Sequence, residues 1–290
     1  MNRLVIIKGG GDLATGIAHR LFRSGFDILI TEIAQPTVIR RSVAFANAVF
    51  EGRMTVEGVT AVRATPDEVA GCLRERLIPV VVDPACQIAR HLQPWGLVDA
   101  ILAKKNLGTA RDDAPVVIGV GPGFTAGVDV HRVVETMRGH DLGRVIESGT
   151  AIPNTGIPGD IGGYTLERLV TAPCDGIFLP QKQIGEFVTA GEILGTVENT
   201  PVLSSIAGVL RGLLRTGLPV TKNMKIGDVD PRAKVQHCWT ISDKARAIGG
   251  GVLQVGVSVV STLSGVLIVI VLSLYFVATM PQIKQAFYRL

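Results

Sequence analysis

Residues 5–32, VIIKGGGDLATGIAHRLFRSGFDILITE, join two apolar runs through a glycine turn and a helical pattern. An apolar run before the glycines, a 3.6-residue period after them and a second apolar run predict strand, helix and strand in that order. Strands that alternate with helices indicate an α/β fold with a parallel sheet. The predicted elements of this half are strands at 4–7, 27–32, 79–84 and 114–121 and helices at 13–24 and 128–139.

The glycine turn fits the relaxed G-x-G-x-x-A pattern of dinucleotide-binding folds at Gly9, Gly11 and Ala14. Glycines let backbone amides approach a phosphate at a helix N-terminus. Asp12 would repel that phosphate unless a cation intervenes, and it could instead cap the helix. A nucleotide, another anion and a purely structural turn stay open. The predicted ligand-binding residues here are Lys8, Gly9, Gly10, Gly11, Asp12 and, at the end of the second strand, Glu32.

A second glycine cluster, GVGPGFTAGVDVH at 119–131, follows the strand predicted at 114–121. Carboxyl ends of parallel strands share one edge of a sheet, so we expect both glycine turns to face one crevice. Gly121, Gly123 and Thr125 are its candidate contacts. Lys104 is a candidate counter-charge, although a solvated loop also explains it. A long loop with tight turns explains the glycines equally well.

Composition restricts the function classes. The 290 residues suggest two domains, and the net charge of +4 comes from scattered basic residues with 5% aromatics, so we expect no nucleic-acid binding. The 4 cysteines lie far apart and predict thiols in a reducing compartment. His131, Glu135 and His140 do not follow a known metal-binding order, so we expect no metal site. No residue pattern names a reaction.

The second half contains an internal repeat. Residues 172–197 align with residues 204–229 without a gap, and glycines of the first segment fall on glycines of the second. The pattern resembles the barrel-sandwich fold of biotinyl and lipoyl carrier domains, but the tip at 198–202 lacks their lysine, so we expect a non-carrier version. We therefore predict a Rossmann-like domain at 1–150, a Gly/Pro-rich loop at 151–168, a small all-β domain at 169–235 and a terminal segment at 236–253.

The C-terminal region differs from the rest. Residues 257–280 are dominated by Val, Leu and Ile, and as a helix they would measure about 36 Å, enough to cross a membrane. We predict a transmembrane helix at 257–280, and a cytoplasmic protein that this helix anchors to the membrane. A buried helix is the alternative.

Several long phrases resemble one family, among them KGGGDLATGIAHRLFRSGF, DAILAKKNLGT, DDAPVVIGVGPGFTAG and PNTGIPGDIGGY. Over about residues 3–253 the chain is similar to YqeB-type accessory proteins of selenium-dependent molybdenum hydroxylases. Its first half also resembles the Rossmann part of xanthine dehydrogenase accessory factors. The tail weakly resembles a membrane segment of AI-2E-type transporters, which a real anchor or a fusion of two reading frames would explain.

The resemblance implies a maturation role. The expected ligand is the molybdenum cofactor (molybdopterin) or a nucleotide, in either case a small phosphate-bearing molecule, and the expected partner is the hydroxylase. Two alternatives remain. One is an NAD(P)-dependent oxidoreductase that uses Gly9, Gly11 and Glu32, and the other is a membrane-tethered scaffold without a ligand. For selenium chemistry, Cys72 and Cys86 are the candidate thiols, although nothing near them marks a lowered pKa.

Overall fold

The computed structural model describes residues 3–256 and, beyond them, residues 271, 273, 274 and 280. The chain forms two compact units, 1–252 and 253–290. All strands given below lie in the first unit.

The α/β region forms a nine-stranded sheet in the order β10-β9-β7-β6-β1-β2-β5-β4-β3. Its strands are β1 (Leu4–Lys8), β2 (Asp27–Glu32), β3 (Arg53–Val56), β4 (Val59–Arg63), β5 (Ile78–Val82), β6 (Gly96–Asp99), β7 (Val116–Val120), β9 (Arg132–Val134) and β10 (Val145–Ile146). Its helices are α1 (Asp12–Arg23), α2 (Ala48–Glu51), α3 (Val69–Arg74) and α4 (Ile88–Leu92). A separate two-stranded ladder joins β8 (Thr125–Ala126) to β11 (Gly149–Thr150).

The centre of this sheet is parallel and buried. β1 pairs in parallel with β2 on one side and β6 on the other, and every residue of β1 is buried. A strand covered on both faces needs a continuous apolar run, which is what its sequence provides. α1 crosses back between β1 and β2, and it presents small residues to the helix that begins at residue 243: a Cβ on Gly16 would lie 2.7 Å from the Ala245 Cβ.

The β region consists of two four-stranded antiparallel sheets, in the orders β12-β19-β17-β14 and β16-β15-β13-β18. Its strands are β12 (Leu169–Thr171), β13 (Gly176–Pro180), β14 (Phe187–Val188), β15 (Ile193–Val197), β16 (Thr200–Leu203), β17 (Gly208–Leu213), β18 (Pro219–Val220) and β19 (Lys225–Asp230). Strands β13, β14 and β15 recur in the second repeat as β17, β18 and β19. The two sheets share one apolar core, which includes Phe178, Leu194 and Leu210.

The segment after β2 connects the two regions. The Leu213 amide donates to the Ile39 carbonyl at 2.8 Å, and the Ser42 hydroxyl donates to the Cys238 carbonyl at 2.6 Å. Arg41 Nε donates to the Leu213 carbonyl at 3.2 Å. These bonds fix the β region against the N-terminal end of α1.

The predicted fold class is wrong. The main sheet is mixed rather than parallel, because the edge strands β3 and β10 pair antiparallel with β4 and β9. The helix predicted at 128–139 is absent: that segment contains strand β9, which lies between β7 and β10. Val130, Val133 and Val134 match a helical period, but branched side chains buried on both faces suit an inner strand equally well.

The transmembrane helix predicted at 257–280 gains no support from the structure. Within the part of the chain that the structure describes, no helix is both long and apolar enough to cross a membrane. Apart from residues 271, 273, 274 and 280, the segment 257–280 lies outside the described residues.

Candidate functional site

The glycine turn after β1 is closed by the acid predicted to bind a ribose. The Gly10 amide donates to Glu32 Oε2 at 2.7 Å, and the Ile33 amide donates to Glu32 Oε1 at 2.8 Å. Burial raises the pKa of Glu32 although both hydrogen bonds act to lower it. Glu32 therefore stabilises the glycine turn through these two hydrogen bonds.

A short helical segment packs against the same turn. The Ala46 amide donates to the Gly10 carbonyl at 2.8 Å, and the Phe45 amide donates to the Thr15 hydroxyl at 2.8 Å. A Cβ on Gly10 would lie 2.8 Å from the Ala46 nitrogen, so glycine is needed here for close backbone approach. Both the amide and the carbonyl of Gly10 are thus bonded within the protein.

Lys8 is also engaged. Its ammonium donates to the Thr109 hydroxyl at 2.5 Å and lies 3.4 Å from Asp99 Oδ2. The Thr109 hydroxyl donates to the same Asp99 oxygen at 2.6 Å. All three residues are buried, so the Lys8 charge is already matched.

The loop after β6 lies between the two glycine turns. A Cβ on Gly9 would lie 3.1 Å from the Ile101 Cα, and a Cβ on Gly123 would lie 2.7 Å from the Lys105 Cα. Both glycines have positive φ, +86° and +113°. The turns thus occupy the same edge of the sheet, where each packs against this loop.

The remaining predicted residues lie farther along this edge. Gly121 has a φ of +80°. The Thr125 amide donates to Asp129 Oδ2 at 2.8 Å. Lys104 is exposed, and its ammonium donates at 3.1 Å to the Asn154 side-chain oxygen when that amide is oriented to satisfy both its atoms. No ligand-directed arrangement of these groups follows from their contacts.

A different concentration of charge lies beside the N-terminus of α1. It contains five basic side chains from both regions, and we call it the cationic cluster. Its members are Arg40, Arg168, Arg211, Lys225 and Lys244.

Two members of the cationic cluster have close carboxylate partners. Arg40 lies 3.0 Å from Asp12, the first residue of α1, and also donates to two backbone carbonyls of residues 237–240. Arg168 lies 2.9 Å from Asp228, with both side chains almost fully buried. The last carboxylate of the cluster, Asp230, accepts two hydrogen bonds from the half-exposed Arg232 at 2.6 and 2.9 Å. Each carboxylate thus has a close cationic partner.

Hydrogen bonding also changes the pKa of Asp230. Burial acts to raise its pKa, but the hydrogen bonds from Arg232 outweigh burial and lower the pKa to about 2. Asp230 therefore stays a carboxylate in the folded protein at neutral pH.

Arg211 has two carboxylates nearby but no hydrogen bond to either. Its guanidinium is buried and lies 3.7 Å from Asp228 and 3.7 Å from Asp230, beyond hydrogen-bond length. Its Nε has no hydrogen-bond partner. Burial lowers the pKa of Arg211, and the neighbouring Arg40 lowers it further.

Lys225 and Lys244 are the members of the cationic cluster that lack a nearby carboxylate. Among the described residues, neither ammonium has a carboxylate within 4.0 Å. Lys225 reaches solvent and Lys244 is half-buried. Burial is the main cause that lowers the pKa of each lysine; Arg211 adds to the effect at Lys225, as Lys225 does at Lys244.

The cationic cluster also contains buried donors without a hydrogen-bond partner. The Nε atoms of Arg40, Arg168 and Arg211 are buried without a hydrogen-bond partner. Most buried donors in folded proteins are paired, so three on neighbouring guanidinium groups are unusual. Unsatisfied donors together with positive charge are the groups that could bind an anion, and the N-terminus of α1 adds to the positive potential.

The sequence analysis missed every member of the cationic cluster. A signal existed in the strands themselves: β17 places Arg211 in an apolar run, and β19 places Asp228 and Asp230 on one face of a buried strand. Charges at such positions are rare unless they are paired or bind something. Arg40 and Lys244 lie far away in sequence and carry no comparable signal.

A large cleft lies elsewhere and is less suited to an anion. It measures about 980 Å³, and its lining includes Arg90, Asp112 and Asp113 as well as Lys8. Cys86 also lines it, and burial raises the pKa of that thiol, which argues against a reactive thiolate. Burial likewise raises the pKa of Cys72.

The residues considered for a metal have other partners. His131 Nδ1 accepts a hydrogen bond from the Val117 amide at 3.0 Å, and Glu135 accepts hydrogen bonds from three backbone amides. The described part of the chain contains no group of three or more His, Cys, Asp or Glu side chains that could hold a metal ion.

Sequence comparison gives one informative relative. The chain is similar to YqeB. It is 52% identical over 254 residues, or 87% of its length, to the "Uncharacterized protein YqeB" of Escherichia coli (strain K12). The match covers 47% of YqeB, so the chain spans about half the length of that curated relative. The YqeB part of the resemblance is confirmed, whereas the match gives no support to a transporter-like tail and names no function.

Comparison with solved structures gives weak likenesses only. A succinylglutamate desuccinylase/aspartoacylase from Rhodobacter sphaeroides is 28% identical over 22% of this chain and 21% of its own, with a TM-score of 0.18. An aspartoacylase family protein from Mesorhizobium loti is 11% identical over 79% of this chain and 84% of its own, with a TM-score of 0.24. TM-scores of this size do not establish a common fold. No protein-family model matches the chain.

Proposed function

We propose that the chain is an accessory factor in the maturation of a molybdenum hydroxylase, and that it binds a phosphate-bearing ligand at the cationic cluster. The YqeB-type resemblance supports the maturation role. One observation supports the ligand and its place: the buried Arg211 guanidinium lies 3.7 Å from Asp228 and Asp230 without a hydrogen bond to either, and its Nε has no hydrogen-bond partner.

Like charges held together in a partly buried site are unfavourable unless an anion offsets them. Arginine forks and lysine ammonium groups are the side chains that bind phosphate oxygens. The hydrogen bonds that connect the two regions hold Arg40 in place before any ligand arrives, which limits the ordering cost of binding.

This proposal moves the ligand away from the glycine turn. A phosphate there would have to displace Glu32 from the Gly10 amide. The same contact disfavours the oxidoreductase alternative, which needs Glu32 for its cofactor. The N-terminus of α1 still contributes, because Asp12 and the first turn face the cationic cluster.

The test is native mass spectrometry of the full chain purified from cells supplied with molybdate and selenite, together with calorimetric titration of inorganic phosphate. We expect a phosphate-bearing molecule to co-purify with the wild type and with Lys222→Met, an exposed control. Arg211→Met should lose it. A ligand-free mass, combined with no detectable phosphate binding, would contradict the proposal and favour a scaffold.

A further inference from the structure

The second sheet of the β region, β16-β15-β13-β18, has an apolar outer face. Successive side chains of a strand point to opposite faces, and Phe178, Leu194 and Val202 point into the core between the two sheets. Their outward neighbours are aliphatic, and each is 41–51% exposed. We call these residues the apolar face: Ile177, Leu179, Ile193 and Leu203.

The apolar face extends across three neighbouring strands. Ile193 and Leu203 are direct cross-strand partners in β15 and β16. β13 pairs with β15 on its other side and carries Ile177 and Leu179. The strands of this sheet have the sequences GIFLP, ILGTV, TPVL and PV, which contain no charged residue. An antiparallel sheet with one solvated face normally alternates apolar and polar side chains, so the outward residues here match a face that is covered.

The equivalent positions of the other sheet are charged. In the alignment of the two repeats, Leu179 falls on Arg211 and Ile193 falls on Lys225, and both basic residues belong to the cationic cluster. That sheet contacts the segment after β2 through Leu213. The β region therefore has one charged sheet that packs against the α/β region and one uncharged sheet whose apolar face is exposed.

We propose that the apolar face is the contact between two copies of the chain, which pair about a twofold axis. Homodimer interfaces are more apolar than interfaces between different proteins, whose energetically dominant residues are mostly Trp, Tyr and Arg. The apolar face consists of leucine and isoleucine alone. In a twofold contact each patch meets itself, and an uncharged patch does so without opposing like charges. The contact goes beyond the proposed function, because Arg211 and Lys225 belong to the other sheet.

The apolar face is small for a permanent dimer. Stable complexes bury about 800 Å² on each partner. Four aliphatic side chains that are about half exposed do not reach this area by themselves. We therefore expect a reversible dimer with a dissociation constant of about 10–100 μM.

The test is analytical ultracentrifugation of the full chain at concentrations on both sides of that dissociation constant, where we expect reversible formation of a dimer. Leu179→Asp introduces an unpaired carboxylate that occurs twice in a twofold contact, and it should raise the dissociation constant at least about tenfold. Leu203→Asp, on a different strand, should have the same effect. Leu107→Asp is the matched control, since Leu107 is 52% exposed and lies in the α/β region, and it should associate as the wild type does.

A wild type that stays monomeric over this range would overturn the proposal. Association that persists unchanged in Leu179→Asp and Leu203→Asp would also overturn it, because the contact would then lie elsewhere. If Leu107→Asp weakened association as much as the other two variants, the attraction would be a general apolar one, and the proposal would again be wrong. Far-UV circular dichroism of each variant shows whether it folds, and either substitution in the apolar face is sufficient for the test.

Discussion

The glycine turn and the cationic cluster both lie at the start of α1, and they differ in how their polar groups are satisfied. At the turn, the Gly10 amide, the Gly10 carbonyl and Glu32 all bond to groups of the chain itself. At the cluster, Arg211 has no hydrogen-bond partner for its Nε and two lysines lack a close carboxylate.

The difference teaches that a recognisable motif and a binding site need not coincide. The turn has the sequence motif of a nucleotide site, but its amide and carbonyl groups are hydrogen-bonded within the chain. The cluster has no sequence motif, because its members come from five separate places in the sequence, yet part of its hydrogen-bonding capacity is unused. Buried donors without a hydrogen-bond partner indicate a ligand better than a sequence motif does.

The strongest test of the comparison is a pair of arginine substitutions beside the same carboxylate. Arg168→Met breaks a buried pair at 2.9 Å and leaves Asp228 without its hydrogen-bonded partner, so it should lower the free energy of unfolding by about 3–5 kcal/mol. Arg211→Met leaves Asp228 and Asp230 with their close partners and should cost about 1 kcal/mol or less. Urea unfolding measures both. Equal losses would show that Arg211 is a structural residue after all.

The second prediction concerns the glycine turn, where we expect a smaller loss of stability. Gly10→Ala places a methyl group 2.8 Å from the Ala46 nitrogen and should cost about 1–3 kcal/mol, because the backbone must move. Gly11→Ala is the matched control, since its Cβ would meet only the Val38 side chain at 3.8 Å. Thermal unfolding of the two variants gives the comparison. A tolerated Gly10→Ala would mean that the packed turn can open.

The smallest expected effect is in the pH dependence of stability. Burial lowers the pKa of Lys225 and Lys244 in the folded state, so the unfolded chain binds more protons between the lowered value and about 10.4. Stability should therefore rise with pH through this window. Lys244→Met should show a shallower rise between pH 8 and 10 in urea unfolding, and Lys222→Met the same rise as the wild type. An identical slope in Lys244→Met would show that its lysine is not strained.

Local elements were the part of the fold that sequence could predict. The strand predicted at 27–32 is β2, and the helix predicted at 13–24 is α1 apart from its ends. These segments succeed because their periodicity agrees with their burial. The segment 128–139 fails because β-branched residues at helical spacing also satisfy an inner strand, and only tertiary pairing decides between them.

The candidate site was less predictable. Lys8 looked like a counter-charge because it precedes the glycines, but its partner Asp99 comes from β6, and nothing local indicates that pairing. Arg211 comes near Arg40 only because the segment after β2 packs against the β region. A cluster of this kind depends on long-range contacts, which periodicity does not encode.

The pairing of the repeat units has a consequence for how the β region can be assembled. β14 of the first unit adds to the sheet of β17, and β18 of the second unit adds to the sheet of β13. Each unit therefore completes the hydrogen-bonding edge of the other, and neither sheet is complete before both units have been synthesised. Because Arg168 precedes the repeats and Asp228 lies in the last strand, their ion pair can form only after β19 has been synthesised. The charged site is therefore one of the last features of the β region that a growing chain can complete.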